Sequence, residues 1–397
     1  MRVVFLYEKV AGFGGAERLL VEEAKYFKKR GDFCLILSGE FNKRVLDEYV
    51  KDEVEVKQIG MHRGLARITK IRDALKEFKA DVVVAHTQPN HILAYLATMG
   101  TGIPYVVHMH GTSFWFPEDY VKYTSIHKTH FEELRKSCAG HEEFTPKELS
   151  ANILKKGYAE VVARVDREAV RKSRRVLVLA NKLKEEVKVL YGVDSVVLRA
   201  GIDQELPKKV RGIDIKEKLG ISGKKMVLSI SRLDARKRLD MLMRAFAKVL
   251  EIEKNAVLVI GGRGEEKENL EKLAKELKLE KEIIFPGFIS EEELPDYYRC
   301  CDVFVFSAWC AYGLTVLEAL AFGKNVVVTE DAYVAEILES NPNEFTCKPT
   351  EEAFVENIAK ALAKTPEEKG ARDAARWNWN AYFARVYDEV VNAVKRK

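Results

Sequence analysis

For almost its whole length the chain alternates between two kinds of segment. Short runs of Val, Ile and Leu bounded by polar or Gly residues give way to longer stretches whose apolar residues recur every three or four positions. That rhythm narrows the choice of fold more than any other feature. A short strand that is apolar throughout is buried on both faces, and such strands separated by helices form a parallel sheet covered on both sides. The first series of strand-like runs falls at 2–7, 33–37, 54–57, 81–85, 104–108, 175–179 and 195–198, with helical periodicity at 15–30, 65–79 and 182–191. A second series starts near Lys224, with strands expected at 226–230, 256–260, 283–285, 303–306 and 326–328. Within it, residues 236–250 set Leu239, Leu242, Met243, Phe246, Val249 and Leu250 on one helical face, and Leu270, Leu273 and Leu277 mark another helix.

Two series predict two doubly wound α/β domains, and 397 residues are too many for most single cores. Between the series, Asp203-Gln204-Glu205-Leu206-Pro207-Lys208-Lys209 is polar, contains Pro and lacks periodicity. The expected division is an N-terminal domain over 1–203, a linker over 204–211, a second domain over 212–376 and a terminal helix over 377–397. In that helix Trp379, Phe383, Tyr387, Val390 and Val394 recur at three or four residues.

Composition removes several classes. Hydrophobic residues make up 47% of the chain with no low-complexity tract, which fits a folded globular protein. No uninterrupted apolar run approaches the ~18 residues of a membrane span. The opening strand meets Glu8 and Lys9 too soon for a signal peptide. The six cysteines show neither Cys-x-x-Cys nor zinc spacing, so reduced thiols in a cytoplasmic protein are expected. The net charge of +5 has an address: residues 120–175 hold 13 Lys/Arg against 8 Asp/Glu, and the remainder carries 53 of each sign. A solvated helical face accounts for this excess. So does an anionic partner, such as a membrane surface or a phosphorylated acceptor, which would place the protein peripherally on the cytoplasmic membrane face. No nucleic-acid partner is expected.

The segment Trp309-Cys310-Ala311-Tyr312-Gly313-Leu314-Thr315-Val316-Leu317-Glu318 lies between two strand-like runs and reads as a Gly-bearing turn opening a helix. Gly313 permits close approach of backbone to a ligand, and the helix start offers N–H groups to an anion. Glu318, about one turn inside, can accept hydrogen bonds from vicinal hydroxyls. Arg232 and Lys237 follow another strand at an expected helix start, where cations are unfavourable unless an anion is present. They can converge on a diphosphate; an exposed basic cap is the plainer alternative.

Gly12-Phe13-Gly14-Gly15-Ala16-Glu17-Arg18 follows the first strand but lacks the third glycine of a dinucleotide fingerprint. A tight turn and a ligand-approaching turn are equally open there. Ile260-Gly261-Gly262-Arg263-Gly264 lacks the ending of a P-loop and reads as a strand-to-helix turn approaching a nucleotide. His108 and His110 leave one strand end on the same side, but a zinc site lacks a third ligand at sensible spacing, so His108 reads as a packed residue. Phe114, Trp115 and Phe116 just beyond read as a buried plug, or else as a sugar-stacking or membrane-facing platform. No Asp-x-Asp, a spacing that can hold a divalent metal ion, occurs in the chain.

Taken together these motifs resemble the retaining glycosyltransferases of family four, which have the GT-B fold. The resemblance extends over nearly the whole chain, from the Gly-rich first turn to the C-terminal Trp-x3-Phe-x3-Tyr helix. It implies an α/β GT-B protein, two Rossmann-like doubly wound domains facing an interdomain cleft, with the C-terminal helix packing back on the first domain. It implies donor-binding roles for Gly14 and Gly15, for Gly262, for Gly287 and Phe288 at the base, and for Gly313, Leu314, Thr315 and Glu318. It makes Arg232 and Lys237 a phosphate clamp and His110 a histidine that contacts the donor sugar, the three forming the expected catalytic set. Cys310 occupies the place of the first of two glutamates that the family separates by seven residues, and is the expected contact to the transferred sugar. Ala200, where Asn is common, and Ala332-Tyr333, where two glycines are frequent, are further departures.

The implied activity is retaining, metal-independent transfer of a hexose-type sugar from a nucleotide-diphosphate donor to a glycan or lipid-linked acceptor, with no cofactor and no metal ligand. A non-catalytic nucleotide-sugar-binding subunit would explain Cys310 as the loss of a sugar contact. A sugar-nucleotide epimerase of similar fold is the enzymatic alternative.

Overall fold

The computed structural model describes residues 1–10, 14–43, 46–50, 53–61, 64–87, 89–111 and 153–395. Gly12 and Phe13, the Phe114–Trp115–Phe116 aromatics and residues 120–152 of the basic segment lie outside them. The chain divides into two compact units: residues 1–199 with 380–397, and residues 200–379.

The first unit is built on a seven-stranded sheet of β1 (Arg2–Val10), β2 (Phe33–Phe41), β3 (Glu55–Gln58), β4 (Val82–His86), β5 (Tyr105–Met109), β6 (Arg175–Val178) and β7 (Val196–Val197). Their order is β3-β2-β1-β4-β5-β6-β7, and every pair is parallel. The second unit holds β8 (Lys225–Ile230), β9 (Ala256–Gly261), β10 (Ile283–Gly287), β11 (Val303–Phe306), β12 (Asn325–Thr329) and β13 (Glu344–Cys347), ordered β10-β9-β8-β11-β12-β13 and again all parallel. In both sheets the chain order reverses once, between β1 and β4 and between β8 and β11. Loops leaving the carboxyl ends on either side of such a reversal diverge and leave a crevice where ligands bind.

Central strands are buried on both faces, as their uniform apolar composition requires: every residue of β4, β5, β9, β11 and β12 is buried. The edge strand β13, Glu-Phe-Thr-Cys, alternates and is half polar, and no apolar run announces it in the sequence. The helix Leu239–Ile252 buries Leu239, Leu242, Met243, Ala245, Phe246 and Val249. It begins at the first residue of its apolar face, three residues later than the expected span 236–250, because Arg236 and Lys237 lie in a separate 3-10 turn, Ala235–Lys237, and Arg238 adopts a left-handed conformation with φ +47° between the two.

The terminal helix Trp379–Lys395 packs in the first unit. Its buried residues are Tyr382, Phe383, Val386, Val390 and Ala393; Phe383 and Val390 of the expected stripe are among them, while Trp379, Tyr387 and Val394 are half-buried. Phe383 meets Tyr26 with ring centroids 5.9 Å apart, Tyr387 meets Phe27 at 4.9 Å, and Glu389 pairs with Arg175 at 2.9 Å.

The polar passage after Ile202 is anchored in the second unit. Ile202 bridges Asn378 in parallel, its N–H bonding the Trp377 carbonyl at 3.0 Å and its carbonyl accepting from the Trp379 N–H at 3.1 Å. Further on, the buried Asp296 carboxylate accepts from the backbone N–H groups of Arg211, Gly212 and Ile213, each at 3.1 Å. Three donors on one carboxylate fix the chain where it enters the domain proper.

Candidate active site

In the second unit, the residues singled out from sequence converge on the reversal point. The loop after β8 carries Ser231 and Arg232 and then folds into the Ala235–Lys237 turn, capped by Asp234, whose carboxylate accepts from the Arg236 N–H at 3.1 Å. The loop after β11 straps this turn down. Ser307 Oγ donates to the Lys237 carbonyl at 2.5 Å, and the Trp309 N–H donates to the Arg236 carbonyl at 3.0 Å. Arg238 reaches the buried Asp331 at 2.8 Å and lies over the Trp309 ring at 5.6 Å. Two strands far apart in sequence thus present their basic and Gly-bearing loops side by side.

Lys237 is half-buried, and desolvation lowers its pKa to about 8; cationic Arg236 and Arg232 push the same way, against the upward pull of Asp234. Arg232 is exposed. A bound polyanion would restore the charge that Lys237 is reluctant to carry alone.

Gly313 is the N-cap of the helix Leu314–Ala321, at φ +73°. A Cβ there would stand 2.9 Å from the Phe306 ring and 3.1 Å from Val334, so conformation and packing both demand glycine. The N–H groups of Leu314 and Thr315 have no acceptor within the helix, whereas that of Val316 bonds the Gly313 carbonyl at 3.0 Å. Glu318 lies in the second turn, 1% exposed, and accepts a hydrogen bond from Tyr298 on the helix Leu294–Cys300 at 2.7 Å. Cys310 is buried and left-handed, with φ +46°. Its neighbour Tyr312 donates to the Ala200 carbonyl at 2.7 Å.

Gly262 has a reason that its sequence context hides. A Cβ on it would fall 1.9 Å from the Ser231 carbonyl oxygen, so the loop after β9 lies directly on the loop after β8. The Leu233 N–H completes the seam by bonding the Arg263 carbonyl at 2.9 Å. Gly287 is tied to the same place, its carbonyl accepting from the Gly262 N–H at 2.8 Å, and the Phe288 ring lies under the Arg263 guanidinium at 5.4 Å.

In the first unit, Gly14 caps the helix Gly15–Lys29 with extended backbone, and its carbonyl accepts from the Arg18 N–H at 2.9 Å. His110 follows β5. The expectation that His108 and His110 lack a third partner fails. His86, the last residue of β4, is the register partner of His108, and the three imidazoles offer ring nitrogens all within 4.8 Å of one another. Twenty-odd intervening residues conceal this in the sequence; lateral pairing of β4 with β5 creates it.

His86 Nδ1 is 3.1 Å from His110 Nε2, and His108 Nε2 is 2.9 Å from the Tyr382 hydroxyl. On the far side stands Glu23, its Oε1 3.7 Å from His86 Nε2 and its Oε2 3.1 Å from His108 Nδ1. Burial pushes Glu23 well above the usual carboxylate range, holds His108 down at about 3, and lowers His86 and His110, the last two also through their histidine neighbours. The sequence signal for Glu23 was a lone carboxylate on the apolar face of its helix, between Leu19, Leu20 and Phe27. A second buried set, His91, Asp166 and Tyr191, ties three helices of this unit together.

Comparison with known proteins agrees with this architecture. Residues 13–206 match the family described as Glycosyltransferase Family 4, and residues 213–378 match Glycosyl transferases group 1. An uncharacterized glycosyltransferase of Methanocaldococcus jannaschii is 33% identical over 166 residues, 41% of each chain. The alpha-monoglucosyldiacylglycerol synthase of Streptococcus pneumoniae is 34% identical over 142 residues, 35% of this chain and 31% of that protein. The chain therefore matches less than half the length of these curated relatives. Among solved structures, Anabaena HepE in complex with UDP and glucose superposes with a TM-score of 0.76 at 18% identity, covering 98% of this chain and 99% of that one. A glycosyltransferase of Rickettsia africae gives 0.72 at 19% identity, covering 100% and 99%. With one family matched by each half and the GT-B architecture matched from end to end, the chain belongs to the family 4, group 1 glycosyltransferases of GT-B fold.

Proposed function

We propose that this protein transfers a hexose-type sugar, with retention of anomeric configuration, from a nucleoside-diphosphate donor to a glycan or lipid-linked acceptor. The observation that carries the reading is the pairing of β8 with β11, which sets the loop of Arg232 and Lys237 against the loop that leads into the Leu314–Ala321 helix. In this reading the C1–oxygen bond to the β-phosphate breaks as the acceptor oxygen bonds C1 on the same face. The acceptor proton passes to the departing phosphate oxygen, and the pair leaves as nucleoside diphosphate. Arg232 and Lys237 neutralise the growing phosphate charge, so no divalent ion or cofactor is required at the diphosphate. Glu318, oriented by Tyr298, takes donor hydroxyls, and Phe288 with Gly287 borders the base.

Product analysis with UDP-, GDP- and ADP-sugars tests the reading. A glycosylated acceptor with the donor's anomeric configuration supports it. An epimerised donor, or nucleotide-sugar binding without turnover, supports one of the two alternatives.

The lowered pKa of Lys237 sets a pH dependence. Below about 8 the free protein holds the lysine charged and ready for the anion; above it, binding must first recover a proton. Affinity for nucleoside diphosphate, measured by calorimetry, is expected to fall about tenfold per pH unit above that point until the bound-state pKa is reached. Lys237→Arg should flatten the profile.

Cys310 is read as a substituted sugar contact. A thiol replaces a carboxylate poorly as an acceptor, and an unpaired sugar hydroxyl in a dry site costs about 1–3 kcal/mol. Cys310→Ala is therefore expected to lower kcat/KM on the native donor less than about tenfold, far less than Arg232→Ala. Loss of turnover with nucleotide binding and folding intact would make the thiol itself functional.

The acceptor side is read as membrane-associated. The helix Ile153–Arg171 exposes Tyr158 (74%), Val161 (58%), Arg164 and Arg171, an apolar and basic stripe, with Lys172 and Arg174 following. The pneumococcal relative is named for a diacylglycerol product, in keeping with a lipid acceptor. Sedimentation with anionic vesicles should carry the protein down at low salt and less so at high salt or after neutralising Arg171, Lys172 and Arg174. Arg175 is left out of that set because it is paired with Glu389. Equal indifference to anionic and neutral vesicles would favour a soluble acceptor.

A further inference from the structure

We infer that His86, His108 and His110 form a binding site for a divalent transition-metal ion of the zinc class, separate from the chemistry at the diphosphate. Three imidazoles are an ordinary donor set for such an ion. Here they come from the end of β4, from β5 and from the residue just past it, the first two held rigidly by sheet pairing. Their ring centroids lie 4.8, 5.2 and 4.7 Å apart, and His86 Nδ1 and His110 Nε2 are 3.1 Å apart. Two nitrogens at zinc-ligand distance around a tetrahedral ion stand roughly 3.4 Å apart, so this pair needs little movement.

A second observation concerns the polar atoms on the outer side of the rings. Glu23 Oε1 and Oε2, His86 Nε2, His108 Nδ1 and His110 Nδ1 are all buried and have no hydrogen-bond partner. Four of the five face one another as two carboxylate–imidazole contacts, and such a concentration of buried polar atoms is rare in a native core. None of the five is itself a ligand in the proposed site; an ion bears on them through the tautomers it fixes. With His86 Nδ1, His110 Nε2 and His108 Nε2 as ligands, the opposite nitrogens His86 Nε2 and His108 Nδ1 carry the ring protons. Those are the two nitrogens that face Glu23, at 3.7 and 3.1 Å. A carboxylate receiving the outer N–H of a metal-bound histidine is the usual outer-shell arrangement around such ions. The Tyr382 hydroxyl, now at His108 Nε2, then lies beside the fourth position.

The test uses full-length protein purified without an affinity metal, stripped with EDTA and returned to chelator-free buffer. Titration with Co(II) should develop a ligand-field absorption that saturates at one equivalent per chain, and Zn(II) should displace it and raise Tm. His86→Gln and His110→Ala should each weaken Co(II) binding by about 100-fold or more, and Glu23→Gln by about 10- to 100-fold. His127→Ala/His130→Ala, in the segment outside the described residues, should leave it unchanged. No ligand-field band in the wild type, or a band that survives His86→Gln and His110→Ala but is lost in His127→Ala/His130→Ala, overturns the assignment. Should His86→Gln fail to fold, the partly exposed His110 and the wild-type stoichiometry still decide.

Discussion

Arg232→Ala and Lys237→Ala are each expected to lower kcat by about 10²–10³, a larger factor than the accompanying rise in KM for the donor. The magnitude is that of removing one preorganised donor from a developing oxyanion, about 2.7–4 kcal/mol of transition-state stabilisation. The charge on the leaving phosphate grows between ground state and transition state, so a group aimed at it acts mainly on kcat. Lys237 has the stronger structural case. Its turn is fixed by Ser307 and Trp309 from the neighbouring loop, so little reorganisation is needed when the charge appears. Arg232, more exposed, has further to settle. Steady-state kinetics with the natural donor check both variants, with nucleoside-diphosphate affinity measured in parallel. Near-normal turnover in both would remove the clamp from the mechanism. A large rise in KM at constant kcat would make the pair an ordinary binding contact.

Gly262→Ala is expected to destabilise the second unit by about 3 kcal/mol or more, although it adds one methyl group to a loop. Two costs combine. The residue sits at φ +142°, a region L-residues rarely adopt, and its Cβ would meet the Ser231 carbonyl oxygen at 1.9 Å. Backbone strain of this kind costs about 1–3 kcal/mol, and forced displacement of well-packed atoms a similar amount. For a unit of this size the corresponding fall in Tm is roughly 6–12 °C. Because the displaced atom belongs to the Arg232 loop, nucleotide affinity should fall in the same variant even at temperatures where it remains folded. A melt within a degree of wild type would show that the two loops part freely, and the packing account of Gly262 would be wrong.

Much of the candidate site was legible because its residues are local motifs. Arg232 and Lys237 lie five residues apart after one strand, and Gly313 to Glu318 form one turn and a half of helix, so their spacing survives in the linear chain. Their supports were not legible. Ser307, Trp309, Arg238 with Asp331, and Tyr298 under Glu318 act across distances in sequence that no periodicity encodes. Gly262 was visible as a glycine but its cause was not, since the atom it avoids belongs to a different loop.

The sequence by itself determined that there are two series of buried strands alternating with helices, where most of those strands lie, and which short motifs follow them. The apolar period suffices for this because burial on both faces and helical amphipathicity are local demands on each segment. The tertiary structure alone decided lateral neighbourhood. Uniformly apolar strands are interchangeable as partners until connection lengths and side-chain packing choose among them. That choice set β8 beside β11, bringing the basic loop to the helix N-terminus, and β4 beside β5, bringing His86 to His108. It also turned the terminal helix so that Tyr382, outside the stripe its sequence suggested, reaches His108. A helix with apolar residues on more than one flank offers several faces, and only the shape of the surface it covers selects one.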